Sequence, residues 1–166
     1  MDALAFVSES LTKFGLRDQI KIIASGKIIT GFDIMKALAL GADACYSARG
    51  MMMALGCIQA LKCDSGKCPV GIATQDKSLF KGIDVTDKKH RVANFHKNTI
   101  HATVELMEAC GFATPEHINP ESFHRRIDTT KTMNFKEIYF NSSRDQDSKS
   151  NAQLPRSKEQ ELMFSA

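Results

Sequence analysis

Cys57, Cys63 and Cys68 stand in the run CIQALKCDSGKCPVG, a C-x5-C-x4-C pattern followed at once by Pro69. Thiolates this close in sequence can close around one soft metal centre, and iron–sulfur clusters are held by cysteine thiolates. A cluster of three irons and four sulfurs needs three such ligands, which matches the count. Zinc would want a fourth nitrogen or sulfur. No histidine lies within the run, and His90, His96 and His101 come later, within reach only if the fold brings them back. The bland alternative is three reduced structural cysteines. Lys62, Asp64, Ser65 and Lys67 lie between them, and so polar a loop does not resemble a core. Cys45 and Cys110 differ. One lies inside an apolar strand pattern and the other at a helix end beside Gly111, and both read as core residues.

A second constellation precedes the cysteines. Ser25, Gly26 and Lys27 close one short apolar run, and Ala48, Arg49 and Gly50 close the next. Small residues let backbone N–H groups approach a phosphate, and a following helix start favours negative charge. Two neighbouring strand ends acting together form the phosphate grip found at the C-terminal face of (β/α)8 barrels. Plain tight βα loops would have the same residues, since a single Gly turn is a weak signal. Met51–Met53 read as helix packing, although methionines can also line a flavin or cluster edge. Arg91, Asn94, His96 and Lys97 read as a solvated helix face. The stretch holding His117, His124, Arg125 and Arg126 has no metal-ligand spacing.

The elements that must position these groups follow from periodicity. Residues 2–14 carry Ala3, Phe6 or Val7, Leu11 and Phe14 at helical spacing, and Gly15 stops them. Ile20–Ala24 is an apolar, β-branched run that predicts a strand buried on both faces, as in a parallel sheet. Thr30-Gly31-Phe32-Asp33 predicts a capping box, and the helix it starts ends near Gly41. Residues 42–47 predict a second buried strand, and a further helix starts near Arg49 and carries Met51 to Ala60. Residues 72–85 predict loop. Residues 86–110 predict a long helix with Val92, Phe95, Thr99, Ala102, Leu106 and Cys110 on one face. A short helix is expected at Thr114-Pro115-Glu116, and Phe135–Phe140 could be a terminal strand. Two successive strand-to-helix turns of this kind belong to α/β architecture with parallel strands.

The chain has 166 residues, of which 43% are apolar and 25% charged, enough for one domain with a real core. Its net charge of +3 is weak and unstriped, which argues against nucleic acid as a partner. No apolar run is long enough to cross a bilayer, and the N-terminus lacks the pattern of a secretory leader. Five cysteines in such a chain predict reduced thiols and a cytoplasmic setting. Residues 141–166 are rich in Ser, Asp, Lys, Asn and Gln and predict a disordered polar tail.

The stretch IKIIASGKIITGFDIMKALALGADACYSARGMMMALGCIQALKCDSGKCPVGIATQD, with DKKHRVANFHKNT after it, resembles the FMN-binding synthase domain of glutamate synthase. The resemblance runs from about Asp2 to Phe140 and implies that residues 1–140 are the C-terminal part of that domain. It implies a (β/α)8 TIM barrel with an iron–sulfur cysteine loop and a helical C-terminal extension, carrying FMN and a 3Fe-4S cluster. The implied reaction reduces 2-iminoglutarate, formed from 2-oxoglutarate and ammonia, to L-glutamate. By position it makes Cys57, Cys63 and Cys68 the cluster ligands. It puts Ser25, Gly26 and Lys27 at the flavin-phosphate turn after the seventh strand, and Ala48 and Arg49 at the turn after the eighth. Larger glutamate synthases often have Asp-Gly-Gly and Gly-Thr at these two turns; here the second Gly is replaced by Lys27, which could supply charge instead, and Gly-Thr by Ala48-Arg49.

A whole barrel needs about 250 residues, so the chain is expected to be completed by the rest of a barrel and served by an electron-donor protein. Residue 2 is Asp, so an N-terminal cysteine nucleophile for glutamine hydrolysis is not expected, and no G-x-G-x-x-G marks a nicotinamide site. Two other readings stand beside this one. In the first the chain is a non-catalytic remnant or metal-binding module. In the second it belongs to another phosphate-binding barrel, of the IMP dehydrogenase type, which leaves the cysteine spacing unexplained.

Overall fold

The computed structural model describes residues 1–140; the predicted tail, 141–166, lies outside them. In chain order the elements are α1 (Asp2–Lys13), β1 (Ile23–Ser25), α2 (Gly31–Ala39), β2 (Ala44–Tyr46), α3 (Ala48–Ala54), α4 (Lys77–Phe80) and α5 (Val85–Ala109). Two 3-10 turns, Pro115–His117 and Pro120–Ser122, then lead to β3 (His124–Arg126), β4 (Thr132–Asn134) and α6 (Phe135–Tyr139). The architecture is mixed α and β. Among the described residues no helix is long and apolar enough to cross a membrane.

Helix starts follow local chemistry. Thr30 Oγ1 accepts from the Asp33 N–H at 3.2 Å, and Asp33 Oδ2 accepts from the Thr30 N–H at 3.0 Å. The predicted capping box therefore opens α2. At α5, Asp84 Oδ1 accepts from the N–H groups of Thr86 and Asp87, at 2.9 and 3.3 Å. A second capping box overturns one expectation. Asn134 Oδ1 accepts from the Glu137 N–H at 2.8 Å, and Glu137 Oε2 accepts from the Asn134 N–H at 3.2 Å. The FKEIYF segment is thus helix α6, not a strand. Its apolar side buries Phe135 and part of Ile138 and Tyr139, at the i, i+3, i+4 spacing of a helix.

Strands β1 and β2 run parallel, with Ile23 opposite Ala44, Ala24 opposite Cys45 and Ser25 opposite Tyr46. Helix α2 connects them. The expectation of strands buried on both faces does not hold: Ala24 is buried, but Ile23 is 49% and Tyr46 62% exposed. One side of the pair packs on α2 through Ala24, Ile28, Ala37 and Ala42, with Leu4 of α1 against them. Beyond the two strands, no further strand pairs with this sheet among the described residues. Strands β3 and β4 form a separate antiparallel hairpin, closed where Asp128 Oδ1 accepts from the N–H groups of Thr130 and Lys131.

The main core joins distant parts of the chain. Ala5, Met35, Ala39 and Leu40 meet Met107, Ile118, Phe123 and Phe135. An aromatic row continues it. Phe32, Phe123, Phe135 and Tyr139 lie with successive ring centroids 6.0, 5.6 and 5.4 Å apart, a spacing typical of favourable aromatic pairs. The predicted face of α5 is right through Leu106, but its most buried members are Thr103 and Met107. Cys110, read as core, is exposed. The helix ends there, and Phe112 packs on the core one residue past Gly111. Helix α3 stops at Ala54, short of the predicted Ala60, and Gly56 follows with φ of +102°. Residues 72–85, predicted as loop, contain the single turn α4.

The parallel register is set at its N-terminal end by Asp43. Its Oδ2 accepts from the Ile22 N–H at 2.7 Å and from Arg17 Nη2 at 2.8 Å, and Lys21 Nζ lies 3.3 Å from Oδ1. In return the Ile22 carbonyl accepts from the Asp43 N–H at 2.8 Å. The Ile22 amide, opposed by some burial and helped by Arg17 and Lys21, holds the Asp43 carboxyl below the usual range. At Asp33 partial burial pushes the other way, but Lys36 and the N–H and hydroxyl donors of the cap outweigh it and keep that carboxyl well below its ordinary value.

Both groups therefore contribute stability that is fully present above the unfolded carboxyl pKa of about 3.9. It is lost as pH falls through their lower folded values. Urea midpoints followed from pH 7 downward should stay level and then fall below about pH 4. Asp43→Ala should cost about 1–2 kcal/mol at pH 7 once solvent screening is allowed for, and its acid slope should be shallower. An unchanged slope in the variant would show that Asp43 does not fix the pair.

Candidate functional site

Parallel pairing puts the C-terminal ends of β1 and β2 side by side, so the two predicted turns leave the sheet together. A further bond ties them. Ser47 Oγ, at the end of β2, donates to the Ile28 carbonyl beyond β1 at 2.6 Å. In the first turn Gly26 has φ of +116° and Lys27 φ of +57°. The first value suits glycine. The second is the left-handed region that a side-chain-bearing residue enters at a cost of about 1–2 kcal/mol.

A cleft of ≈ 470 Å³ opens where these turns meet the cysteine loop. Lys27 and Arg49 line it together with Cys57, Cys63, Gln59 and Leu61. Met52 and Met53 also face it, so these two methionines of α3 do more than pack the helix. Gln59 and Leu61 have φ of +56° and +53°. Every described non-glycine residue with positive φ therefore lies on this one cleft. Such strained backbone concentrates at functional sites. Nothing in the residue types of Gln59 or Leu61 signals it in the sequence.

The other predicted flavin-site residues face elsewhere. Ser25 and Gly26 line a groove beside α1, which Lys27 also touches. Ala48 lines a third groove with Ser25, Cys45 and Ser47. Lys27 is therefore the residue that borders both the β1 side and the cysteine side.

The three predicted ligands have different surroundings. Cys57 is partly buried, and its Sγ accepts from the Gln59 N–H at 3.4 Å. Cys63 is exposed on the same cleft, whereas Cys68 is buried. The backbone amide of Ala73 holds the Cys68 thiol below its usual range; burial opposes this, and the amides of Val70, Ile72 and Gly71 add to it. That ring of amides is fixed from behind. Gly71 has φ of +79° and lies so close to Leu79 of α4 that a Cβ would fall 2.5 Å from its carbonyl oxygen. The Asp76 side chain caps α4 by accepting from the Ser78 N–H at 2.8 Å.

Cys68 does not line the cleft shared by Cys57 and Cys63. Among the described residues no three His, Cys, Asp or Glu side chains gather as a group ready to hold a metal ion. The donor chemistry nonetheless fits a sulfur-rich centre: soft sulfur atoms on one short loop, two of them approached by N–H donors of the kind that stabilise charged thiolates. The histidines that zinc would need do not border this cleft. His96 lies in the groove with Phe95 and Thr99, and His101 Nδ1 faces Glu105 at 3.4 Å. Cys45 is partly buried in β2, and burial pushes its thiol pKa up.

The geometry makes one stability prediction. Lys27→Gly removes the left-handed strain without touching the core, and should raise stability by about 1 kcal/mol in urea melts, offset in part by the greater freedom of the unfolded chain. A loss of stability would mean that the Lys27 side chain itself holds the turn.

Residues 1–113 match the family model described as a conserved region in glutamate synthase. The chain is 46% identical over 121 residues to the glutamate synthase large subunit-like protein YerD of Bacillus subtilis, covering 73% of this chain and 23% of that protein. It is 44% identical over 116 residues to the archaeal glutamate synthase [NADPH] of Methanocaldococcus jannaschii, covering 70% and 23%. It is 35% identical over 111 residues to the glutamate synthase [NADPH] large chain of B. subtilis, covering 67% and 7%. The chain thus spans about a quarter, or less, of the length of these relatives. The matched region takes in both strand-end turns, the cysteine loop and α5, and on that match the chain belongs to the glutamate synthase family.

Proposed function

We propose that residues 1–140 form the C-terminal part of the synthase domain of a glutamate synthase, the last portion of a (β/α)8 barrel with its cluster loop and helical extension. In this reading the chain works in the FMN- and 3Fe-4S-dependent formation of L-glutamate from 2-oxoglutarate and ammonia or glutamine. The observation that carries it is the shared cleft: cations from two parallel strand-end turns, Lys27 and Arg49, face the same space as Cys57 and Cys63.

Ser25, Gly26, Lys27, Ala48 and Arg49 would hold the flavin phosphate, and Cys57, Cys63 and Cys68 the cluster. When bound, these groups supply electron delivery and the reduction of the imine of 2-oxoglutarate. The chain's own residues do three things toward that chemistry. The Ser47–Ile28 bond keeps the two phosphate turns at one spacing. Lys27 and Arg49 neutralise anionic charge at the turns. The amides around Cys68 stabilise its sulfur as a thiolate, the form that binds metal.

The remaining barrel strands and the electron donor would come from outside residues 1–140. Ile23 and Tyr46, exposed on a sheet of two strands, favour a second reading for these residues alone: a metal-binding module that turns nothing over until further strands cover it.

Anaerobic reconstitution of the chain with iron and sulfide, followed by iron, sulfide and flavin assays, tests the proposal. About three irons per chain are expected. Single Ser replacements of Cys57, Cys63 or Cys68 should abolish iron binding, while Cys45→Ser and Cys110→Ser should spare it. One zinc per chain with no iron, or equal loss from all five replacements, would overturn the assignment.

A further inference from the structure

We infer that the groove between α3 and the first half of α5 is a docking surface for an acidic protein segment that carries apolar side chains along one face. This goes beyond the proposed function and needs no bound cofactor.

The groove holds ≈ 570 Å³. From α5 it is lined by Val85, Lys88, Lys89, Val92 and His96, the i, i+3, i+4, i+7 and i+11 positions of one helical face. Met51 and Leu55 line it from α3 and its C-terminal cap. The fold does not use this face for its core. The buried residues of α5 are Thr103 and Met107, towards the other end of the helix, and Val85 is 70% exposed. An apolar stripe continued beyond a helix's own core contacts is left for another surface to cover.

Charge says what kind of surface that is. Residues 76–97 contain six lysines and arginines against three aspartates, an excess equal to the +3 of the whole chain. The remainder of the sequence is balanced, so the net positive charge is local to α4 and the first half of α5. All three aspartates are engaged within this segment. Asp76 caps α4, Asp84 caps α5, and Asp87 lies 3.0 Å from Lys88. No carboxylate lines the groove, and Lys89 on its edge is exposed. Carboxylates of a partner would meet that edge while its apolar side chains fill the floor, the pattern by which an amphipathic segment seats in a groove.

Other anionic partners fit less well. No aromatic ring on which a nucleic-acid base could stack lines the groove. A lipid surface is entered by a projecting apolar face, whereas here the apolar side chains lie in a depression between two helices.

The test uses the full 166-residue chain and a fluorescein-labelled synthetic peptide of glutamate and leucine, with its leucines on one helical face. Polyglutamate of equal charge, a scrambled peptide of the same composition and poly(U) are the comparison probes. Anisotropy titrations should show the amphipathic peptide binding about tenfold more tightly than any of them. Lys89→Glu should weaken its binding about tenfold, and Val85→Ser about fivefold. Lys131→Glu, between β3 and β4, should leave it unchanged. A lysine–leucine peptide should reverse the order and bind Lys89→Glu more tightly than the wild type, which also shows that the variant folds. Affinity of the glutamate–leucine peptide should fall as salt is raised.

No binding by the wild type, equal binding of polyglutamate or the scrambled peptide, tighter binding of poly(U), or variants at Val85 and Lys89 that behave as the wild type does would each overturn the inference. The iron and flavin assays that test the proposed function are read independently of these titrations.

Discussion

The Asp43 carboxylate is the constraint on which the rest depends. It accepts the Ile22 amide and the Arg17 guanidinium at the entry to both strands, and its own N–H returns a bond to Ile22. Three residues of parallel pairing on each side follow from that knot. A slip of one residue would turn each side chain of a strand to the other face. It would also displace the Ser25–Lys27 turn relative to Ala48–Arg49, and separate the cations that face the cysteines. The buried alanines behind the strands, Ala24, Ala37 and Ala42, are small enough for helix and sheet to approach closely. They supply contact without dictating register. Direction and register come from the polar knot, and adhesion from the apolar layer.

The cysteine loop is held by different means. It has little regular structure, and its shape comes from backbone groups rather than side-chain packing. The amides of residues 70–73 converge on Cys68, and α4 closes behind Gly71. Cys57 lies three residues past the end of α3 and its N–H donates to the Met52 carbonyl at 3.0 Å, so its place is set by the same helix that carries Arg49 and the cleft methionines. One short helix thus links both halves of the site. Its packing on α5, where Gly50 lies against Phe95, fixes that link to the main body of the fold.

Much of this arrangement was legible in the sequence wherever one local interaction decides the outcome. Thr30 with Asp33 announces a helix start, and Gly41 a stop, because capping bonds and φ preference act over four residues. The two strand-end turns could be read in the same way, since each follows directly from where a short apolar run stops. Errors arose where two local signals competed or where tertiary position decided. FKEIYF is rich in aromatic and β-branched residues, as strands are, yet the Asn134–Glu137 box at its start wins and makes a helix. The His124–Arg126 strand is exposed throughout and has no apolar alternation to reveal it. Cys110 has the spacing of a buried residue but falls where the helix has already ended. The left-handed conformations of Lys27, Gln59 and Leu61 are properties of the folded loop rather than of their residue types. Separately, the comparison with relatives established the family; the cleft bears on which residues would act.

The composition of the main core sets an order of events during synthesis. The residues that cover Ala5, Met35, Ala39 and Leu40, namely Met107, Ile118, Phe123 and Phe135, are made some seventy to one hundred and thirty positions after them. Contacts so far apart in sequence form slowly and late. A nascent chain that has just delivered its three thiols therefore still has an open apolar seam between α1 and α2. Cys57, Cys63 and Cys68 are thus made before the residues that close the core around α1 and α2. The linear arrangement of this fold therefore separates the making of the thiols from the closing of the core.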